Sequence, residues 1–126
     1  MENKIRYSCV NFFEKDLKRL LKRFCSLNED IERAKINAIE TYHIAKIDNR
    51  GIFPIPGFCC DTVIICKLKK FSCKSLKGFG AQSGIRIIYA FYPADSKVEF
   101  IEIYYKGDKE NEDKDRIKVY FESVKF

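Results

Sequence analysis

Apolar and polar positions alternate near the start of the chain, where Arg6 and Ser8 interleave with Ile5, Tyr7 and Cys9. That period of two predicts a short strand over 5–10. The period then lengthens. Phe13, Leu17, Leu20, Leu21 and Phe24 fall on one face of a helix, and Lys15, Lys18, Arg19, Lys22 and Arg23 take the other face. Asn11 stands where an N-cap belongs, with Glu14 three residues on as in a capping box. A second helix is predicted from Asn28, because Glu29 and Asp30 suit the positive end of the helix dipole. Its apolar stripe is Ile31, Ala34, Ala38, Tyr42 and Ala45. Two amphipathic helices with so short a link read as an αα-hairpin.

From 48 to 61 the pattern breaks, and Asn49-Arg50-Gly51, Pro54, Pro56 and Gly57 predict a loop. Three strand-like runs follow, over 62–71, 85–92 and 97–106. A glycine-rich turn over 78–84 separates the first two, and Pro93-Ala94-Asp95-Ser96 separates the last two. The third run alternates Val98 and Phe100 with Ile101 and Ile103. Short turns favour an antiparallel meander. A highly charged link over 107–115 leads to a final helix, with Ile117, Tyr120, Phe121 and Val124 at helical spacing. The order is β-αα-βββ-α, two helices and a C-terminal helix with an antiparallel sheet, which is an α+β fold. A length of 126 residues suits a single domain over 1–126.

Composition narrows the setting. A hydrophobic share of 46% supports a core and excludes a disordered tail. No apolar run approaches the roughly 20 residues that a membrane helix needs. The opening Met-Glu-Asn-Lys-Ile-Arg has no signal-like apolar segment, so the expected location is cytoplasmic, with no membrane partner. Charge is unevenly placed. Between Asp61 and Asp95 there is no acidic residue, while Lys67, Lys69, Lys70, Lys74, Lys77 and Arg86 all fall there. Those six cations equal the net charge of +6. Such a segment suits a polyanion, the plain alternative being a solvated basic face. The six cysteines show no C-x-x-C spacing and His43 stands alone, so no metal or other cofactor is expected. The thiols are read as small hydrophobes.

On the middle predicted strand the chain reads Ser83-Gly84-Ile85-Arg86-Ile87-Ile88-Tyr89-Ala90. This Gly-x-Arg-hydrophobic-hydrophobic-Tyr pattern resembles the middle strand of the RelE/ParE toxins of type II toxin–antitoxin systems. Lys67-Leu68-Lys69 is similar to the Lys-x-Lys of the preceding strand in RelE. Ile103-Tyr104-Tyr105-Lys106, with the charged link after it, resembles the close of that sheet. The element order agrees, so the resemblance spans nearly the whole chain, with extra length over 48–61 and 70–83. It implies a RelE/ParE-like fold and a cognate antitoxin. It implies one of two activities. RelE-like toxins are ribosome-dependent mRNA endonucleases and inhibit translation, whereas ParE-like toxins inhibit DNA gyrase and lack the catalytic set. A catalytically silent, RNA-binding relative is the third reading.

RNA cleavage without a metal needs a base for the 2′-hydroxyl, a cation for the phosphorane and an acid for the 5′-oxygen, and it leaves a 2′,3′-cyclic phosphate. The resemblance implies that Arg86 contacts the scissile phosphate, which a guanidinium grips through two oxygens. The structural alternative is a pair with Glu99 or Glu102. Lys67 and Lys69, two apart, project to one strand face, and one of them is implied as base or phosphate clamp. Crowded cations are expected to lower a lysine from its usual pKa of about 10.4. Lys106 and Lys109 fall where RelE has an arginine, although lysine lacks the bidentate fork. Tyr120 answers by order to a RelE tyrosine, its alternative being a place in the core; Tyr104, on a strand face with Lys106 and Glu102, is the other candidate. Lys70, Lys74, Lys77 and Lys109 are the expected RNA contacts, with ribosome and mRNA as implied partners. Tyr89 is read as core, and His43 as lying away from the sheet.

Overall fold

The computed structural model describes residues 5–125. One five-stranded sheet has the order β1-β5-β4-β3-β2. Its strands are β1 (Arg6–Cys9), β2 (Ile52–Cys59), β3 (Ile64–Leu68), β4 (Ile85–Tyr92) and β5 (Lys97–Tyr105). One face carries a hairpin of α1 (Asn11–Leu21) and α2 (Leu27–Ala34), which continues through a π-helical segment, Lys35–Glu40, into α3 (Thr41–His43). The other face carries α4 (Lys114–Val124). The α+β class is as the sequence predicts. Among the described residues, no helix is long and apolar enough to cross a membrane.

The sheet departs from the sequence reading at both edges. β1 pairs parallel with β5, Arg6 opposite Lys97 and Cys9 opposite Phe100, so the sheet is mixed. The connection between these two strands runs through the helical hairpin and then β2, β3 and β4, well beyond the dozen residues that a parallel pair requires. β2 lies wholly inside the stretch predicted as loop. Pro54 and Pro56 cannot donate to a ladder, but β2 is an edge strand with β3 as its one neighbour, and the ladder is interrupted between Pro54 and Cys59.

The helix starts are also displaced. β1 turns straight into α1, so Val10 takes the N-cap position; its N–H donates to the Phe100 carbonyl at 3.0 Å. Glu14 accepts from the Cys9 thiol instead of closing a capping box. α2 begins at Leu27, and the Ser26 hydroxyl at its cap donates to Asp30 at 2.6 Å. The π segment rotates the later face. Ile39 and His43 therefore turn inward, while Ala45 is exposed.

Two apolar cores flank the sheet. On the hairpin side Phe13, Leu20, Leu27 and Ile39 pack with Ile85, Ile87, Tyr89 and Phe100. On the other side Ile117 and Phe121 of α4 pack with Ile65, Ile88, Ala90 and Ile101. β5 changes phase between them. Ile88 faces Glu102 and Tyr89 faces Phe100, leaving Ile101 as the extra residue of a β-bulge. The bulge explains why Val98 and Phe100 share a face with Ile103, and it sends Glu102 and Tyr104 to the side of α4.

Candidate functional site

β4 alternates across the sheet. Ile85 and Ile87 enter the hairpin core, and Ile88 enters the α4 core, so Arg86 projects on the α4 side. Gly84 leads into the strand with φ of 89°, and its carbonyl accepts from the Lys106 N–H at 2.8 Å. An L side chain is strained in that left-handed region. Half-buried Arg86 donates from Nη1 to the Lys69 carbonyl at 3.0 Å. Its alternative partners are engaged elsewhere. Glu99 accepts from Tyr120 at 2.6 Å, and Glu102 accepts from the Asp113 N–H at 2.9 Å and pairs with Lys109.

Register assembles the remainder. Lys67 on β3 stands opposite Ile88, and Lys69 follows two residues on. Tyr104 on β5 stands directly opposite Arg86. Lys67, Lys69, Arg86 and Tyr104 thus share one face across three adjacent strands, a span of about 10 Å. Lys109 joins them, its Nζ 5.3 Å from the Tyr104 ring centroid.

The charged link after β5 folds back over this row. Lys67 Nζ donates to Glu112 Oε1 at 2.8 Å, and the two side chains are 15% and 9% exposed. The Tyr104 hydroxyl donates to the same oxygen at 3.4 Å. Burial pulls the Lys67 pKa down, but the hydrogen bonds and charges of Glu112 and Tyr104 outweigh it and hold the pKa above its usual value. The downward shift expected from crowded lysines is therefore overturned: a carboxylate absent from the acid-free stretch arrives from the link and fixes Lys67 as an ammonium. For Glu112, burial acts upward and the Lys67 hydrogen bond prevails, so its pKa lies below the usual carboxylate value. Burial raises Tyr104. Glu102, 1% exposed, neutralises Lys109 and anchors the start of α4.

Other expected residues lie elsewhere. Tyr120 hydrogen-bonds Tyr92 at 2.5 Å and Glu99 at 2.6 Å, and burial and Glu99 hold its hydroxyl well above its usual pKa. Tyr92 is six residues along β4 from Arg86, about 20 Å of strand. The C-terminal tyrosine therefore packs and does not reach the Arg86 row. Lys106 lies one residue beyond β5 with an exposed side chain. Lys70 and Lys74 turn to the hairpin side. Lys70 donates to the Asn49 carbonyl at 2.8 Å and lines a cavity of about 290 Å³ with Asp30 and Arg33. Lys74 faces Glu29 of α2 at 3.6 Å. Lys77 is exposed in the connection before β4. The expected RNA-contacting quartet of Lys70, Lys74, Lys77 and Lys109 is thus divided.

His43 does not lie away from the sheet. Its Nε2 is 2.7 Å from the Tyr89 hydroxyl, and its ring stacks on Phe91 with centroids 3.9 Å apart. Burial, then the charge of Lys46, lower its pKa to about 4. The sheet separates it from Arg86. Tyr89 is fully buried, as its strand phase implies. All six thiols are free, and burial pushes Cys66 up to about 12. Among the described residues, no group of three His, Cys, Asp or Glu side chains is placed to hold a metal.

Two residues at the site escape a reading of the sequence. Glu112 belongs to a link whose alternating charges look like a solvated spacer. Phe53 falls in the stretch taken as loop, yet it stands opposite Lys67 in the β2–β3 register and is 43% exposed. Lys69 Nζ lies 5.3 Å from its ring centroid. The apolar residues spaced through 52–58 were the available signal, obscured by Pro54, Pro56 and Gly57.

No family model and no curated protein matches the chain. Among solved structures it is similar to a chain of the archaeal RelE–RelB complex from Pyrococcus horikoshii OT3. The TM-score is 0.50 at 12% identity, over 82% of this chain and 97% of that one. The architecture is RelE-like.

Proposed function

We propose that this chain, a RelE-like fold, is the toxin of a type II toxin–antitoxin pair and a metal-independent endonuclease of mRNA on the ribosome. The observation that supports this reading most is the row of Arg86, Lys67 and Lys69 on one face of the sheet. A guanidinium flanked by ammonium groups matches a phosphodiester in charge and geometry. The structural relative comes from a complex of RelE with RelB, which supports a cognate antitoxin as partner here. A cytoplasmic site of action follows from the same reading.

The chemistry divides among the residues as follows. Arg86 and Lys69 hold the scissile phosphate, and Arg86 stabilises the charge that grows on the phosphorane. Lys67 is an ammonium at neutral pH, so it serves as acid and not as base. Glu112 is a carboxylate at neutral pH and can accept a proton. The 2′-oxygen attacks phosphorus and gives its proton to Glu112. The bond to the 5′-oxygen breaks, and that oxygen takes a proton from Lys67. A 2′,3′-cyclic phosphate and a free 5′-hydroxyl result. Transfer of the proton from Glu112 to Lys67 along their 2.8 Å hydrogen bond restores the pair. Tyr104 orients the carboxylate.

The test is induced expression of the wild type beside Arg86→Ala, with primer extension on a reporter mRNA. The expected result is new, translation-dependent 5′ ends with wild type and none with a folded Arg86→Ala. Growth arrest without mRNA cuts moves the reading to gyrase inhibition. One observation favours a second reading, an RNA-binding protein without cleavage: Lys67 is already neutralised by Glu112.

A further inference from the structure

Resting on the RNA reading of this face, we propose that Phe53 is a stacking platform for a nucleobase of the bound single strand. Adjacent residues of β2 have opposite destinations. Ile52 is 5% exposed in the hairpin core, whereas Phe53 is 43% exposed on the far face. A large aromatic left in water on an edge strand gains little for the fold. Two other phenylalanines are as open, but Phe12 on α1 is flanked by Lys15 and Arg116, and Phe79 sits in the connection before β4. Phe53 shares its face with the cation row.

Its neighbours specify the ligand. Phe53 stands opposite Lys67, and Lys69 Nζ sits 5.3 Å from the centre of its ring. The Lys69 carbonyl holds Arg86, so aromatic and cations form one continuous surface from β2 to β4. Among the described residues Lys69 has no carboxylate partner, so its ammonium is available to a phosphate. Exposed rings interleaved with cations are the arrangement that binds single strands, the ring taking a base face and the cations the backbone. Arg86 stands two strands across and two residues along from Phe53, about 12 Å. A base stacked on Phe53 therefore belongs to a nucleotide neighbouring the one whose phosphate Arg86 holds. Stacking accepts any base, so Phe53 contributes affinity and position and not base identity.

The test is the binding of a short, end-labelled single-stranded RNA at low salt to wild type, Phe53→Ala, Phe53→Leu, Phe53→Trp and Arg86→Ala. Phe53→Ala and Phe53→Leu are expected to weaken binding about tenfold, and Phe53→Trp to restore it. The chain contains no tryptophan, so Phe53→Trp adds a single reporter. Its emission is expected to be quenched by RNA, and less by an RNA of equal length with abasic positions. The salt slope stays at the wild-type value in Phe53→Ala, and drops by about one in Arg86→Ala. If wild type binds, Arg86→Ala binds weakly and the Phe53 variants bind like wild type, the stacking role is overturned while the RNA reading stands. If wild type does not bind single-stranded RNA, the stacking role is overturned, and the reading as a ribosome-dependent endonuclease stands or falls by the primer-extension test.

Discussion

The two faces of the sheet are built to different standards of closure. The hairpin face is covered by α1, α2 and the π segment, and it buries Ile85, Ile87 and Tyr89 completely. Even its polar groups are paired, His43 with Tyr89 and Tyr7 with Glu40. The opposite face has one helix of 11 residues to cover five strands. Ile117 and Phe121 seal the end near Ile65 and Ala90. The end near Arg86 is left to side chains that carry charge. Closure holds the fold together, and the less closed end presents Arg86, anchored on the Lys69 carbonyl.

Arg86 and Ile87 are neighbours on β4 that serve opposite faces, so they break the comparison most directly. Ile87 is fully buried, and Ile87→Ala is expected to cost about 2–5 kcal/mol by leaving a cavity. Denaturant melts should show that loss, with any activity declining only as the fold does. Arg86→Ala removes one partly exposed bond to a carbonyl and is expected to cost under about 1 kcal/mol. The proposed RNA cleavage is expected to slow by a factor of about 100 or more in this variant. Equal stability losses in the two variants would remove the distinction between the faces.

Acid should act on the closed face first. His43 is held neutral, with its pKa lowered to about 4. An unfolded histidine titrates near 6.5, so between about 6.5 and 4 the unfolded chain binds a proton that the folded chain refuses. Stability is therefore whole above that window and declines as pH falls through it, by about 3 kcal/mol from this residue. His43→Gln keeps a hydrogen-bonding group toward Tyr89 and cannot titrate. The difference in unfolding free energy between pH 7 and pH 4 is expected to shrink by that amount in the variant. An unchanged difference would mean that His43 is not sealed.

Much of this was legible in the chain, and what was not has physical causes. Helical periodicity located α1 and α4, and the density of apolar and aromatic residues located β4 and β5, which bury side chains on both faces of the sheet. The grouping of Ile101 with Ile103 did not hold, because the bulge at Ile101 returns Ile103 to the face of Val98 and Phe100, and a pattern cannot show where a partner strand forces such a shift. β2 was hidden because proline and glycine are read as breakers, and their tolerance on an edge strand depends on a neighbour that sequence does not reveal. Spacing along a strand placed Lys67 and Lys69 on one face, and the resemblance to the RelE/ParE toxins singled out Arg86. The ionisation state of Lys67 was not legible, because Glu112 reaches it across 45 residues of chain. Tyr120 illustrates the converse. Its place in the order suggested chemistry, and its partners Tyr92 and Glu99 give it a packing role.

The smallest expected effect sharpens the boundary between the faces. Lys74 belongs to the same acid-free stretch as Lys67, and charge counting treats the two alike. The structure separates them: Lys67 is largely buried beside Glu112, while Lys74 is well exposed and meets Glu29 of the hairpin at 3.6 Å. An exposed pair of that length contributes about 0.5 kcal/mol or less. Lys74→Ala is accordingly expected to leave the melting midpoint within about 3 °C of wild type. RNA affinity should stay within about twofold at physiological salt, where the screening length of about 8 Å is short against the path around the sheet edge. A loss comparable to that of Arg86→Ala would mean that RNA wraps the edge and that the hairpin side carries part of the site.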